Sequence, residues 1–305
     1  MQFPISDSED VKDLQQRLAD LGFDVSADGI LGPETSAAVK TFQAQNVDAS
    51  GNPLVVDGVA GPATWASLIA KAAPPGPPVE TGAVRTGFDT AFYPGEAQMQ
   101  AWKQLSPYGF VGYYLASPAH PNASWMGKRE ALLTMGWDTV AIYVGRQAQG
   151  PGSSVAPDAA GGREHGADAL AKMQSEGFPA GSAVYLDVEP MDQIPANMID
   201  YVNAWLSEFA GKDYLPAIYC HMRNAVELKA KTAPASADLQ FWVTGSGTDF
   251  TPGVSQPTDS GIPFATMWQG AFDQEKTFGS VTINIDENVA FAAAKAVSAA
   301  VGNGS

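Results

Sequence analysis

Cysteine is nearly absent. Cys220 stands alone among 305 residues, so no disulfide forms within the chain and the fold does not depend on an oxidising compartment. Histidine is almost as scarce: His120, His165 and His221 show no zinc-ligand spacing, and neither a metal site nor a cofactor is expected. Basic residues number 17 against 33 acidic ones, and the net charge of −16 would repel a nucleic acid. An uncharged or locally cationic partner, such as a glycan, fits that balance better. No apolar run is long enough to span a membrane, so no membrane partner is expected. The opening MQFPISDSED has no basic segment and no apolar core, so no ordinary signal peptide is expected. No phosphate loop and no Ser-His-Asp arrangement stands out.

The apolar fraction of 45% supports a sizeable core, and the length suggests two domains. The first 72 residues read as three short helices. Ser6 and Glu9 have capping-box spacing, and Val11, Leu14, Leu18 and Leu21 recur at helical intervals until Gly22 stops the helix. A frame then occurs twice, as DGILGPET from Asp28 and as DGVAGPAT from Asp57. In each copy Asp-Gly suits a turn with positive φ at the glycine, and Gly-Pro starts a helix, with proline where its missing N–H costs nothing. Ala38, Val39 and Phe42 face the core in the first copy, and Trp65, Leu68 and Ile69 in the second. A calcium-loop reading of Asp24, Ser26, Asp28 and Gly29 competes with this. Its twelfth position should be glutamate but is Thr35, and the second copy begins on Pro53. Turn shaping is the better account of both aspartates.

The run LGF…DGILGPETSAAVKTFQ…VDGVAGPATWASL resembles the peptidoglycan-binding domain family of small three-helix modules. The resemblance covers about residues 8–70 and implies a non-catalytic module that holds an enzyme on the bacterial cell wall. Modules of this kind also serve as spacers. KAAPPGPPVETG follows, and its prolines favour an extended, semi-rigid spacer. The expected division is therefore a bundle at 1–72, a linker at 73–83 and a second domain at 84–305.

From Thr86 strand-like and helix-like segments alternate. Strands are expected at 86–93, 110–116, 139–145, 182–189, 215–221, 239–244, 264–269 and 281–288. Helical patterns at 96–105, 128–135, 166–176 and 196–209 lie between them. This alternation predicts an α/β fold, a (β/α)8 TIM-like barrel preceded by the small three-helix bundle. The stretch after Thr244 has no helical pattern, so one barrel helix is expected to be short or missing. Side-chain alternation assigns Tyr185, Asp187 and Glu189 to the barrel axis, with Asp89, Tyr93, Ala141, Tyr143, Gln240, Trp242, Asn284 and Asp286. Val184, Leu186, Val188, Val140, Ile142, Val144, Phe88 and Phe92 are assigned outward.

Four acids, Asp89, Asp187, Glu189 and Asp286, thus converge on the C-terminal ends of the strands, where barrel enzymes carry their sites. Crowding would raise at least one pKa and keep a carboxyl protonated near neutrality. Asp187 and Glu189 share a face with Cα atoms roughly 6.5–7 Å apart, within reach of one glycosidic bond. The competing reading has these acids capping helices or pairing with Arg146, Arg163 or Arg223.

The pieces GFDTAFY, AVYLDVEP, AIYCH, FWV, MWQG and NIDENVA resemble glycoside hydrolase family 25, the Chalaropsis-type lysozymes. The text between them is more similar to a related glycoside-hydrolase-like domain family in which activity is not generally established. Both resemblances span about residues 84–295. They imply a muramidase that cleaves β-1,4 bonds of peptidoglycan glycan strands, with Glu189 as general acid and Asp187 steadying charge or the substrate acetamido group. Asp89 and Asp286 match acids of the first and last strands. Tyr93, Tyr143, Tyr219, Trp242, Trp268 and Gln269 are candidate substrate contacts. The region around Tyr113, Tyr114 and Tyr143 departs from ordinary lysozymes, and the family 18 chitinase pattern needs an aspartate where Tyr185 stands. The alternative function is a degenerate barrel that binds wall glycan without cutting it. A monomer acting at the bacterial wall is expected, delivered by phage lysis or a specialised secretion route.

Overall fold

The computed structural model describes residues 8–48, 52–72, 84–150, 152–232, 239–245 and 250–292. Ser6 and the 73–83 linker lie outside the described residues.

Three helices come first: α1 (Ser8–Asp20), α2 (Pro33–Gln45) and α3 (Pro62–Ala72). Val11, Leu14 and Leu18 form the buried stripe of α1, and they share a core with Ala38, Val39, Phe42, Trp65 and Leu68. Gly22, at φ 87°, ends α1, and the Phe23 amide turns back to the Leu18 carbonyl at 3.0 Å. The repeated frame is held by a repeated glutamine that the sequence reading passed over. Gln15 donates from Nε2 to Asp28 Oδ1, the Ile30 carbonyl and Thr35 Oγ1 at 2.8, 3.0 and 2.8 Å, and accepts the Gly29 amide at 2.8 Å. Gln43 does the same for Asp57 Oδ1, the Val59 carbonyl and Thr64 Oγ1 at 2.9, 2.9 and 3.0 Å, and accepts the Gly58 amide at 2.9 Å. Each copy is therefore a helix-borne amide closing the turn that starts the next helix. Asp28 and Thr35, two positions of the discarded calcium loop, are both committed to Gln15. Gly29 and Gly58 sit at φ 77° and 81°, as the turn requires.

A closed barrel of eight strands follows in chain order. The strands are β1 (Val84–Asp89), β2 (Phe110–Leu115), β3 (Asp138–Val144), β4 (Ala183–Val188), β5 (Leu215–His221), β6 (Gln240–Thr244), β7 (Ala265–Phe278) and β8 (Val281–Phe291). Helices α4 (Glu96–Leu105), α5 (Arg129–Met135), α6 (Ala159–Ser175), α7 (Ala196–Ser207) and α8 (Met222–Lys231) follow the first five strands. Among the described residues only a 3-10 turn, Pro257–Ser260, lies between β6 and β7.

The (β/α)8 expectation needs correction at its end. β8 runs antiparallel to both β7 and β1. Only Gly279 and Ser280 separate β7 from β8, and so short a connection can only make a hairpin. The polar stretch 270–278 did not read as strand, which hid the continuation of β7. Two register shifts, at 269–271 and 271–274, bend this arm outward. Its tip lies over α4: Phe278 meets Trp102 edge-on at 5.1 Å, and Trp102 Nε1 donates to the Val281 carbonyl at 3.1 Å. Ile283 and Ile285 are buried with that outer core. The hairpin arm thus covers apolar surface that an outer helix covers in a complete (β/α)8 barrel.

The barrel interior is filled by Phe110, Val140, Ile142, Ala183, Tyr185, Ala217, Trp242, Met267 and Ala290. This reverses the expectation for β3: Val140 and Ile142 point inward, and Ala141 and Tyr143 outward. β3 is buried on both faces, so apolar alternation could not tell them apart. Its pairing settles the matter, because Ile142 lies between Tyr114 and Tyr185 in register.

Candidate active site at the barrel mouth

Asp89 ends β1 and is 2% exposed. Gly112 on the neighbouring strand makes room for it, since a Cβ there would lie 2.5 Å from the Asp89 Cβ. Three side chains donate to Asp89: Tyr114 Oη at 2.8 Å, Gln269 Nε2 at 2.8 Å and Asn288 Nδ2 at 2.7 Å. Gln269 turns its Nε2 to the carboxyl oxygens, and its oxygen accepts from Tyr219 Oη at 2.7 Å and Thr244 Oγ1 at 2.8 Å. Asn288 has a fixed orientation: the indole N–H of Trp242 can only donate, and it does so to the Asn288 oxygen at 3.0 Å. The Trp242 ring stands edge-on to Tyr185 and Tyr219, at 5.5 and 5.2 Å, and forms the apolar floor beneath the acids.

Asp286 pairs with Asp89 across β8 and β1. Gln269 Nε2 reaches its Oδ2 at 3.3 Å and the Asp273 amide its Oδ1 at 2.8 Å. Burial and then the charge of Asp89 push its pKa up to about 7, against the pull of the Asp273 amide. Burial also raises Asp89, while its three donors oppose the rise. Asp187 is driven well above the carboxylate range by burial first, then by the charges of Glu189 and Asp89. Its Oδ1 is buried with no hydrogen-bond partner among the described residues. Glu189, just beyond β4, is exposed at the rim, yet the surrounding walls still desolvate it enough to raise its pKa. Arg146 and Arg223 have acidic partners elsewhere among the described residues: Arg146 pairs with Asp158 and Glu164, and Arg223 with Asp192.

The Asp187–Glu189 segment is clamped by Gln147, a fully buried residue that the sequence reading missed. Its Nε2 donates to the Asp187 carbonyl at 2.9 Å, and its Oε1 accepts the Glu189 amide at 3.0 Å. A polar residue three places past the end of β3 was the available signal. The mouth therefore gathers carboxyls whose burial and mutual proximity favour the protonated form, above an aromatic floor. Such a site can deliver a proton to a neutral ligand and stabilise positive charge that develops on it.

The profile of the Rv2525c-like, glycoside hydrolase-like domain family matches residues 100–290. The chain belongs to that family. A peptidoglycan binding domain profile matches residues 7–68. Among solved structures, a Bacillus stearothermophilus protein described as uncharacterized is similar at 18% identity and TM-score 0.50, over 70% of this chain and 100% of that one. The Clostridium perfringens spore cortex lytic enzyme SleM is similar at 12% identity and TM-score 0.50, over 72% of this chain and 71% of that one. The Tat-secreted protein Rv2525c of Mycobacterium tuberculosis aligns at 19% identity and TM-score 0.44, over 67% and 94%. At these identities the structural likeness speaks for the fold alone. No curated protein matches the sequence.

Within this family barrel, the expected residues divide into two groups. Asp89, Asp187, Glu189 and Asp286 come together with Tyr219, Trp242 and Gln269. Tyr143, Trp268 and Tyr93 do not join them. Tyr143 faces the helix layer, where its Oη donates to Asp168 at 2.8 Å. Trp268 packs outward against Phe250 at 5.0 Å, and its Nε1 donates to the Gly245 carbonyl at 3.0 Å. Tyr93 lies in the loop beyond β1, edge-on to Trp125 at 5.1 Å. Tyr114 joins the site instead.

Proposed function

We propose that this chain is a cell-wall hydrolase that cleaves β-1,4 glycosidic bonds of peptidoglycan. Helices α1–α3 act as a wall-binding module, and the barrel acts as a monomeric catalytic domain outside the cytoplasm. The observation that carries the reading is the four-acid mouth with its raised pKa values. Glu189 is the general acid: it alone is both exposed at the rim and raised in pKa, so it can hand a proton to the leaving sugar oxygen. Asp187 faces the same bond with an oxygen that accepts no hydrogen bond from the described residues, which suits the N–H of a substrate acetamido group or developing positive charge. Asp89 and Asp286 supply the negative field, and Tyr219, Gln269 and Trp242 shape the floor.

A second reading, glycan binding without cleavage, draws on one feature. Asp89 already accepts three hydrogen bonds from the protein, and Asp286 two, so half of the cluster is engaged internally. Incubation with purified peptidoglycan separates the two, with released fragments identified by mass spectrometry and reducing ends counted. Hydrolysis requires that Glu189→Gln lower the rate by about 10²–10⁴-fold while glycan binding persists. Undiminished release in that variant would refute the assignment, and no release by the wild type on any wall type would favour the binding-only barrel.

A further inference from the structure

The sequence suggests a module on a tether, but α1–α3 rest directly on the rim of the barrel. Trp65 Nε1 points at Met222 Sδ at 3.3 Å. Arg17 lies over the Trp65 ring, 5.9 Å from its centroid, and donates from Nη2 to the Arg223 carbonyl at 2.8 Å. Met222 and Arg223 form the first turn of α8, directly after β5 reaches the mouth, and His221 caps that turn by accepting the Arg223 amide at 3.2 Å. The next residue, Asn224, is 2% exposed and grips Met191 from both sides. Its Oδ1 accepts the Met191 amide at 3.1 Å, and its Nδ2 donates to the Met191 carbonyl at 2.8 Å. Arg223 also reaches Asp192 at 3.7 Å. Met191 follows Glu189 by two residues, and the far side of that segment is held by Gln147.

We infer that the helical module is a positioning element for the Glu189 segment, acting through the first turn of α8. Arg17 and Trp65 hold the turn, Asn224 and Arg223 hold 191–192, and Gln147 holds 187–189. The segment carrying Glu189 is thus braced on one side by the barrel and on the other by a turn that the module seats. Removing the module would loosen the rim as well as release the protein from the wall. This deepens the hydrolase reading and rests on it only for the kinetic consequence; the brace itself is tested without turnover.

The test uses the full chain carrying Arg17→Met or Met222→Ala, followed by hydrogen exchange and mass spectrometry. Peptides covering 189–194 and 222–226 should exchange at least about threefold faster in either variant, while peptides from α6 keep their wild-type rates. Asn224→Ala should speed exchange at 189–194 without changing peptides from 11–45. Faster exchange at 222–226 with 189–194 unchanged would overturn the inference, as would equal acceleration across the whole barrel. If the chain hydrolyses glycan, Arg17→Met should also lower kcat on short soluble fragments by about threefold, with KM within about twofold. Fragments that small have no need of wall anchoring, so unchanged kcat in an active enzyme would refute the kinetic consequence of the brace.

Discussion

Asp286→Asn should make the protein more stable at neutral and alkaline pH. A carboxyl whose pKa rises on folding binds its proton more tightly in the native state than in the unfolded chain. Stability is therefore lost as pH climbs from the unfolded value toward the folded one. For Asp286 that window runs from the ordinary 3.8 to about 7. At ~1.36 kcal/mol per tenfold change, the full interval corresponds to about 4 kcal/mol. Asp286 is only partly buried, so solvent screening reduces this to about 1–2 kcal/mol.

Asparagine keeps an oxygen for the Asp273 amide and removes the charge facing Asp89. The assay is denaturant unfolding of both proteins at several pH values between about 4 and 8. Wild type and variant should nearly coincide at the acid end, and the variant should lead by about 1–2 kcal/mol at the alkaline end. Other acids titrate in both proteins and cancel in the difference. The exception is Asp89, whose relief in the variant acts in the same direction. A difference that stays constant across the range would show that the Asp286 carboxyl is not raised, and a wild type that gains on the variant as pH rises would reverse the electrostatics argued for the mouth.

Two further predictions concern packing. Gly162 on α6 lies where an added Cβ would be 2.3 Å from the Tyr201 carbonyl and 2.9 Å from the Ala204 Cβ on α7. Gly162→Ala should therefore cost about 1–3 kcal/mol in denaturant unfolding, despite the ordinary helix preference for alanine; a net gain would refute the close approach of α6 and α7. Gln43→Leu should release the Asp57 and Gly58 amides and, since solvent can reach both residues, lose about 0.5–1.5 kcal/mol for each hydrogen bond removed. Amide exchange at those two residues reads this directly, and unchanged protection would refute the hub.

How much of this was legible in the sequence varied with the kind of signal. The helical repeat was visible because its turn residues and apolar stripes are local. The glutamines that close the turns were not, since Gln15 stands 13 residues from Asp28 and a lone glutamine on a helix has many neutral explanations. The inward face of β4 could be read because Asp187 interrupts an apolar strand and marks one side. The acid of β3, Asp138, stands one residue before the expected strand and the rest of the strand is buried on both faces, so its parity was assigned backwards and Tyr143 was wrongly placed at the axis. Gln147, Asn224 and Thr244 act through side-chain hydrogen bonds between elements far apart in the chain, and no spacing rule announces them.

The reversal of β8 bears most directly on the site. Register puts Asp286 beside Asp89 at the rim, and from there an antiparallel strand descends into the barrel. Asn288, two residues on and facing the same way, therefore lies one layer below the acids, level with Gly87 and Gln269. At that depth it can donate to Asp89 and accept from Trp242 at once. Had β8 risen parallel to its neighbours, the same Asp-x-Asn would have carried Asn288 above the rim, leaving the Trp242 N–H without this buried acceptor and Asp89 with one donor fewer. The hairpin that replaces the last helix of a (β/α)8 barrel is thus also what lets a short motif supply both an acid at the mouth and the polar link between that acid pair and the floor.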